Sequence, residues 1–165
     1  MLFCALDQVG VNAPAIQPGW GERSAAAGVG AWVLTGCSLK GSLRGQALCA
    51  APDTESVGMR FTAGVHPHDA ASWDEATAAS IRALVEDPNC GAVGECGLDY
   101  DRMKAPREVQ VKAFAAQAAM SVEAEKSLFL HCRELDADRG ETRATRRVYA
   151  QACTRVATPP HDART

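Results

Sequence analysis

Short apolar runs alternate with longer amphipathic stretches along this chain. Five of the runs read as strands: Leu2–Val11, Ala31–Thr35, Arg60–Val65, Ala92–Glu95 and Leu128–His131. Ala31-Trp-Val-Leu-Thr35 is apolar without interruption, the pattern of a strand covered on both faces. The stretches between the runs predict helices. Glu22–Ala27 reads as a short helix ended by Gly28, and Ser38–Ala51 as a weaker, longer one. Ser72-Trp-Asp-Glu75 has the form of a capping box, in which the Ser72 hydroxyl accepts from the Glu75 amide and the Glu75 carboxylate reaches back. The helix it opens would set Trp73, Ala76, Ile81, Leu84 and Val85 near one face and stop at Asp87-Pro88-Asn89. Pro106 suits the first residue of the next helix, where its missing N–H costs nothing. There Val109, Ala113, Ala116 and Met120 recur at helical spacing and form a stripe that can lie on a sheet.

Strand alternating with helix predicts βα units and a parallel sheet. Right-handed crossovers then bring all strand C-termini to one rim. That rim would carry Asn12, Thr35, His66, Glu95 and His131. Near Leu135 the pattern fails. Residues 136–147 are dense in charge, and the stretch 157–165 holds Pro159-Pro160 and fits neither element. The expected division is an N-terminal barrel portion, 1–134, followed by an irregular tail, 135–165.

Composition narrows the function classes. A chain of 165 residues, 47% hydrophobic and 22% charged, suits one folded domain. Its net charge of -3 gives no overall basic field, so a phosphate-bearing ligand would have to be held locally. The seven cysteines are scattered with no CxxC pair, as in a reduced protein that uses thiols as small core residues. No apolar run approaches the length of a membrane span. The expected location is the cytoplasm or the nucleus, without membrane attachment.

Three segments carry candidate chemistry. Ala92-Val-Gly-Glu-Cys-Gly-Leu-Asp99 delivers a carboxylate, Glu95, to the end of an apolar run, and Leu128-Phe-Leu-His-Cys-Arg133 delivers an imidazole, His131, in the same way. Ala63-Gly-Val-His-Pro-His-Asp69 adds His66 and His68. In order and spacing these resemble three signatures of the TatD-type metal-dependent deoxyribonucleases, over roughly residues 9–134. Gln110, followed by Phe114, also resembles that family's helix before the HCR strand.

The resemblance implies a (β/α)8 TIM-barrel fold, here an incomplete barrel of about five βα units. It implies divalent-metal-dependent hydrolysis of phosphodiester bonds in DNA, by exonuclease-like trimming in which the strand is shortened from an end. Glu95 matches the catalytic, metal-bridging glutamate and His131 a metal-ligand histidine. His66 matches a histidine close to the scissile phosphate, with Arg133 and Asn12 as further substrate contacts. A hard carboxylate favours Mg²⁺ or Mn²⁺, and an imidazole adds affinity for Mn²⁺ or Zn²⁺.

There are two departures from the family pattern. Where much of the family has HxH, this chain reads Gly10-Val-Asn12, as one subgroup does. Nothing after Glu134 matches the later ligand histidine and aspartate. The alternative expectation is therefore a catalytically impaired, truncated homologue that keeps part of the metal site and works by association with another chain, with self-association through open sheet edges. A barrel hydrolase acting on cyclic amides is disfavoured by the missing HxH. Asp99, Asp101 and Arg102 read as a polar loop, and Cys96 and Cys132 as packing residues rather than a zinc pair.

Overall fold

In a computed structural model, which describes residues 2–5, 19–51 and 58–133, five parallel strands form one sheet in the order in which they occur in the chain. They are β1 Leu2–Ala5, β2 Ala31–Thr35, β3 Gly58–Ala63, β4 Cys90–Asp99 and β5 Ser127–Arg133. The helices are α1 Trp20–Ala26, α2 Leu39–Cys49, α3 Glu75–Val85 and α4 Arg107–Glu123. The strand order never reverses, so right-handed crossovers carry every helix to the same side. That is the winding of a barrel arc, as opposed to a doubly wound sheet.

The apolar runs form strands because this arrangement buries them. Phe61, Ala63 and Val93 from the sheet pack with Ile81, Leu84 and Val85 of α3 and Met120 of α4, all close to fully buried. At about 25 cal/mol per Å² of apolar surface, each large side chain in this layer contributes roughly 1.5–3 kcal/mol. β2 keeps its expected limits. β1 is described only as far as Ala5, and Asn12 and the segment 134–165 lie outside the described residues.

Three expectations are corrected. The capping box does not form: Pro67–Ser72 makes a 3₁₀ turn, in which the Ser72 hydroxyl donates to the Asp69 carbonyl at 2.8 Å. Asp74 caps α3 instead, accepting from the Thr77 amide at 2.7 Å, and Trp73 precedes the helix. Pro106 stands one position earlier than expected, as the cap of α4. Finally, β4 is ten residues long, not four, and continues past Glu95 to Asp99. Glycine makes this continuation available. Gly94 and Gly97 have φ of 130° and 142°, a region that side chains disfavour, and the β4–β5 register shifts between Val93 and Cys96.

The stripe on α4 is only partly apolar. Ala113 and Met120 are buried, but so are Gln110 and Gln117, seven residues apart on the same face. The Gln117 carboxamide accepts from the Val65 amide at 2.8 Å and donates to the Val65 carbonyl at 3.1 Å. The Gln110 carboxamide does the same for Asp99, at 2.8 and 3.1 Å. Each side chain thus imitates a neighbouring strand and satisfies buried backbone groups where the ladder ends.

Candidate active site

The C-terminal ends of β3, β4 and β5 bring four chemistry-bearing residues together. His66 follows β3, immediately after the Val65 that Gln117 holds. Glu95 lies within β4, and its amide donates to the Gly36 carbonyl at 2.9 Å. His131 lies in β5, opposite Gly97, and Asp99 ends β4, opposite Arg133.

His131 Nδ1 stands 2.9 Å from Glu95 Oε1 and 3.1 Å from His66 Nε2, with 3.8 Å between His66 Nε2 and Glu95 Oε1. On the far side of the His131 ring, Nε2 is 3.3 Å from Asp99 Oδ2. Cys37, just after β2, donates its thiol to Glu95 Oε2 at 3.4 Å. All of these side chains are buried or half-buried.

The donor set fits a divalent cation. Two ligands about 2.1 Å from a common ion and at right angles are about 3.0 Å apart, close to the Glu95–His131 separation. His66, Glu95 and His131 together form a group whose ligand atoms converge closely enough to hold an ion. The local bonding sets His66 apart, however. Its Nδ1 accepts the His68 amide at 3.1 Å, so in the neutral ring the proton sits on Nε2. Burial, followed by the neighbouring His131 ring, pushes His66 down to about 4, so it is neutral near pH 7. It therefore faces the cluster as a hydrogen-bond donor.

The carboxylates are held ionised. The His131 bond is the largest influence on Glu95, and with His66 and the Cys37 thiol it outweighs burial and keeps the carboxyl below its usual range. For Asp99 burial acts upward, but the Arg102 amide and the His68 bond, helped by the His68 and His131 rings, hold it at about 2. The unfolded carboxyl titrates near 3.8. Stability from Asp99 is therefore complete above that value and lost as the pH falls through about 2. An acid titration of the metal-free protein followed by circular dichroism should show Asp99→Asn lacking this part of the pH dependence.

Of the residues expected at the site, Glu95, His131 and His66 come together. Arg133 is at its edge, with Nη1 3.8 Å from Asp99 Oδ2 and a side chain 40% exposed. The polar-loop reading of Asp99 is corrected: it is fully buried and binds His68 Nε2 at 2.6 Å. His68, named with His66 in its motif but given no role, proves to be the partner of Asp99, and Cys37 was missed. Position alone could have flagged Cys37, two residues beyond a strand end on the expected rim. Cys96 is buried and Cys132 exposed, and among the described residues neither forms a disulfide. Among the described residues no helix is long and apolar enough to cross a membrane.

Comparison with known proteins agrees with the motif reading. The chain is 42% identical over 112 residues to the 3'-5' ssDNA/RNA exonuclease TatD of Klebsiella pneumoniae, covering 68% of this chain and 41% of that protein. It is 41% identical over 124 residues to the protein of the same name from Rahnella sp., covering 75% and 44%. The chain thus spans a little over two-fifths of the length of these relatives. Among solved structures, an uncharacterized amidohydrolase from Saccharomyces cerevisiae superposes with a TM-score of 0.63 at 22% identity, over 79% of this chain and 43% of that one. This likeness shows the fold, an incomplete α/β barrel. The family described as TatD related DNase matches residues 11–157, extending past Glu134. By that match and by the identity to its curated members, the chain belongs to the TatD related DNase family.

Proposed function

We propose that this chain carries the metal-binding rim of a nuclease that hydrolyses phosphodiester bonds in DNA, shortening single strands from an end. The observation that carries the reading is the convergence of Glu95 Oε1 and His131 Nδ1 to 2.9 Å on adjacent strand ends. In this reading Glu95 offers Oε1 to the ion, because Oε2 already accepts the Cys37 thiol. His131 offers Nδ1. Mg²⁺ or Mn²⁺ suits the carboxylate best, and Zn²⁺ is the third choice. A divalent ion bound there would supply positive charge for the phosphate and make its bound water more acidic than bulk water. His66 donates its Nε2–H to a non-bridging phosphate oxygen. Arg133, its side chain 40% exposed at the edge of the site, clamps the same group through its planar fork. Asn12 is assigned to the substrate side of the rim by its motif alone.

A labelled single-stranded oligonucleotide incubated with Mn²⁺ tests this proposal. Progressive shortening that EDTA stops is the expected result. Shortening that persists in EDTA would sink the metal reading.

A second reading has its own observation. β5 is the last described strand of the sheet, and its Leu130 and Cys132 are exposed, Leu130 to 47%. Under this reading the rim needs strands from another chain or segment, so the 165-residue protein self-associates and does not turn over. Sedimentation velocity separates the two: an active monomer supports the first reading, an inactive oligomer the second.

A further inference from the structure

The loop between β4 and α4 is anchored at its root and charged at its tip. Asp99 Oδ1 accepts the amides of Asp101 at 3.2 Å and Arg102 at 2.9 Å. From the other side the Gln110 carboxamide donates to the Asp99 carbonyl at 3.1 Å and to the Ala105 carbonyl at 2.7 Å, and Ala105 is buried. The Arg107 guanidinium lies over the Tyr100 ring, 4.4 Å from its centre, and so is engaged with the loop itself.

Between these anchors Asp101, Arg102, Met103 and Lys104 are exposed, Met103 to 42%. Met103 has a φ of 44°, in the left-handed region that a long side chain seldom adopts. An apolar side chain thus stands in solvent with a cation on either side. Among the described residues, no acid pairs with Arg102 or Lys104. In a chain of net charge -3 these two unpaired cations are a local exception, and the fold itself makes no use of them. They also stand beside the cluster. The carboxylate that fixes the Arg102 amide through Oδ1 faces His68 and His131 through Oδ2, so loop and cluster share one anchor.

We propose that this loop holds the single-stranded nucleic acid beside the cluster, outside the nucleotide being cleaved. The proposal rests on the nuclease reading above and adds to it a contact surface for the rest of the strand. Arg102 and Lys104 bind successive phosphates: two residues span at most about 7 Å, and both side chains are long enough to adjust. Met103 packs against an unstacked base, which a single strand offers and an intact duplex does not. The cations therefore supply affinity, and the apolar tip supplies the preference for single strands.

Fluorescence anisotropy of a labelled single-stranded oligonucleotide in EDTA reads this contact without cleavage. The 165-residue chain should bind it with an affinity that falls steeply as salt rises. Arg102→Gln combined with Lys104→Gln should lower the slope of log K against log salt by about 1.4, or ~0.7 for each of two phosphates. Binding should weaken roughly 10–30-fold at about 0.1 M salt. Met103→Gln should weaken single-strand binding several-fold with the slope unchanged, and leave binding of a duplex of the same length as it was. Arg82→Ala, on α3 and paired with Glu123, is the control and should change neither quantity.

A folded double variant with parental affinity and salt slope overturns the proposal. So does an unsubstituted chain that does not bind the single strand. Should the double variant fail to fold, Lys104→Gln alone decides, with half the change in slope expected. An equal loss of duplex binding in Met103→Gln overturns the preference for single strands. Loop-dependent binding without shortening of the strand in Mn²⁺ would instead defeat the nuclease reading and leave the contact standing.

Discussion

Glu95→Gln is expected to abolish metal-dependent cleavage of DNA, with a loss greater than the ~10–100-fold typical of removing an outer-sphere partner. The glutamine keeps the shape of the side chain but not its charge. Its amide NH₂, if turned toward His131, would also place a donor where Nδ1 needs a cation. Two rings and a thiol are arranged around the Glu95 carboxylate, and the His131 bond holds it ionised. Loss of the charge therefore removes the strongest ligand and leaves the remaining groups with nothing to converge on. Mn²⁺ titration calorimetry should show no resolvable binding, while the thermal unfolding curve should stay close to that of the parent. Cleavage at the parental rate in Mn²⁺ would exclude Glu95 from the site.

Gly94→Ala is expected to be the most damaging small change in the fold. A Cβ at this position would overlap the Phe129 carbonyl oxygen and approach the Cys96 amide nitrogen to 3.1 Å. Backbone cannot swing aside as a flexible side chain can, and φ at Gly94 is 130°. Overpacking against main chain should cost about 3 kcal/mol or more. For a chain of this size that is a fall in Tm of about 6–12 °C. Gly91→Ala, three residues earlier, provides the control. Its Cβ would make only ordinary contacts, 3.6 Å or longer, with Arg60 and the Phe61 carbonyl. It should be neutral, or stabilising by up to ~1 kcal/mol through the unfolded state. Equal melting temperatures for the two variants would contradict the close approach of β4 to β5 at Gly94.

Order and type of the elements were legible in the sequence because they depend on local pattern. The uninterrupted run Ala31–Thr35 became β2 without change, and Gly28 followed the end of α1. Glu95 and His131 were legible because each sits on its own strand near the rim. The rest depended on partners distant in sequence. Asp99 looked like loop because Gly94 and Gly97 punctuate the run before it. Those glycines instead let β4 continue, shift register, and bring Asp99 beside β5. Ser72 and Glu75 had the spacing of a capping box, but the turn begun at Pro67 claimed Ser72 first. Gln110 matched a family motif but its role was not legible, and Gln117 drew no reading, since nothing local reveals which strand end needs a donor and an acceptor. Pattern shows which residues are buried together by period, but not which polar groups satisfy one another across the fold.

Those two glutamines also bear on how the rim opens. The amide protons of Val65 and Asp99 are each held by a carboxamide of α4 rather than by a neighbouring strand. Lifting α4 from the sheet would release both at once. Amides 34 positions apart, one just before His66 and the other that of the carboxylate beside His131, should therefore exchange with solvent deuterium at similar rates if the helix opens as a unit.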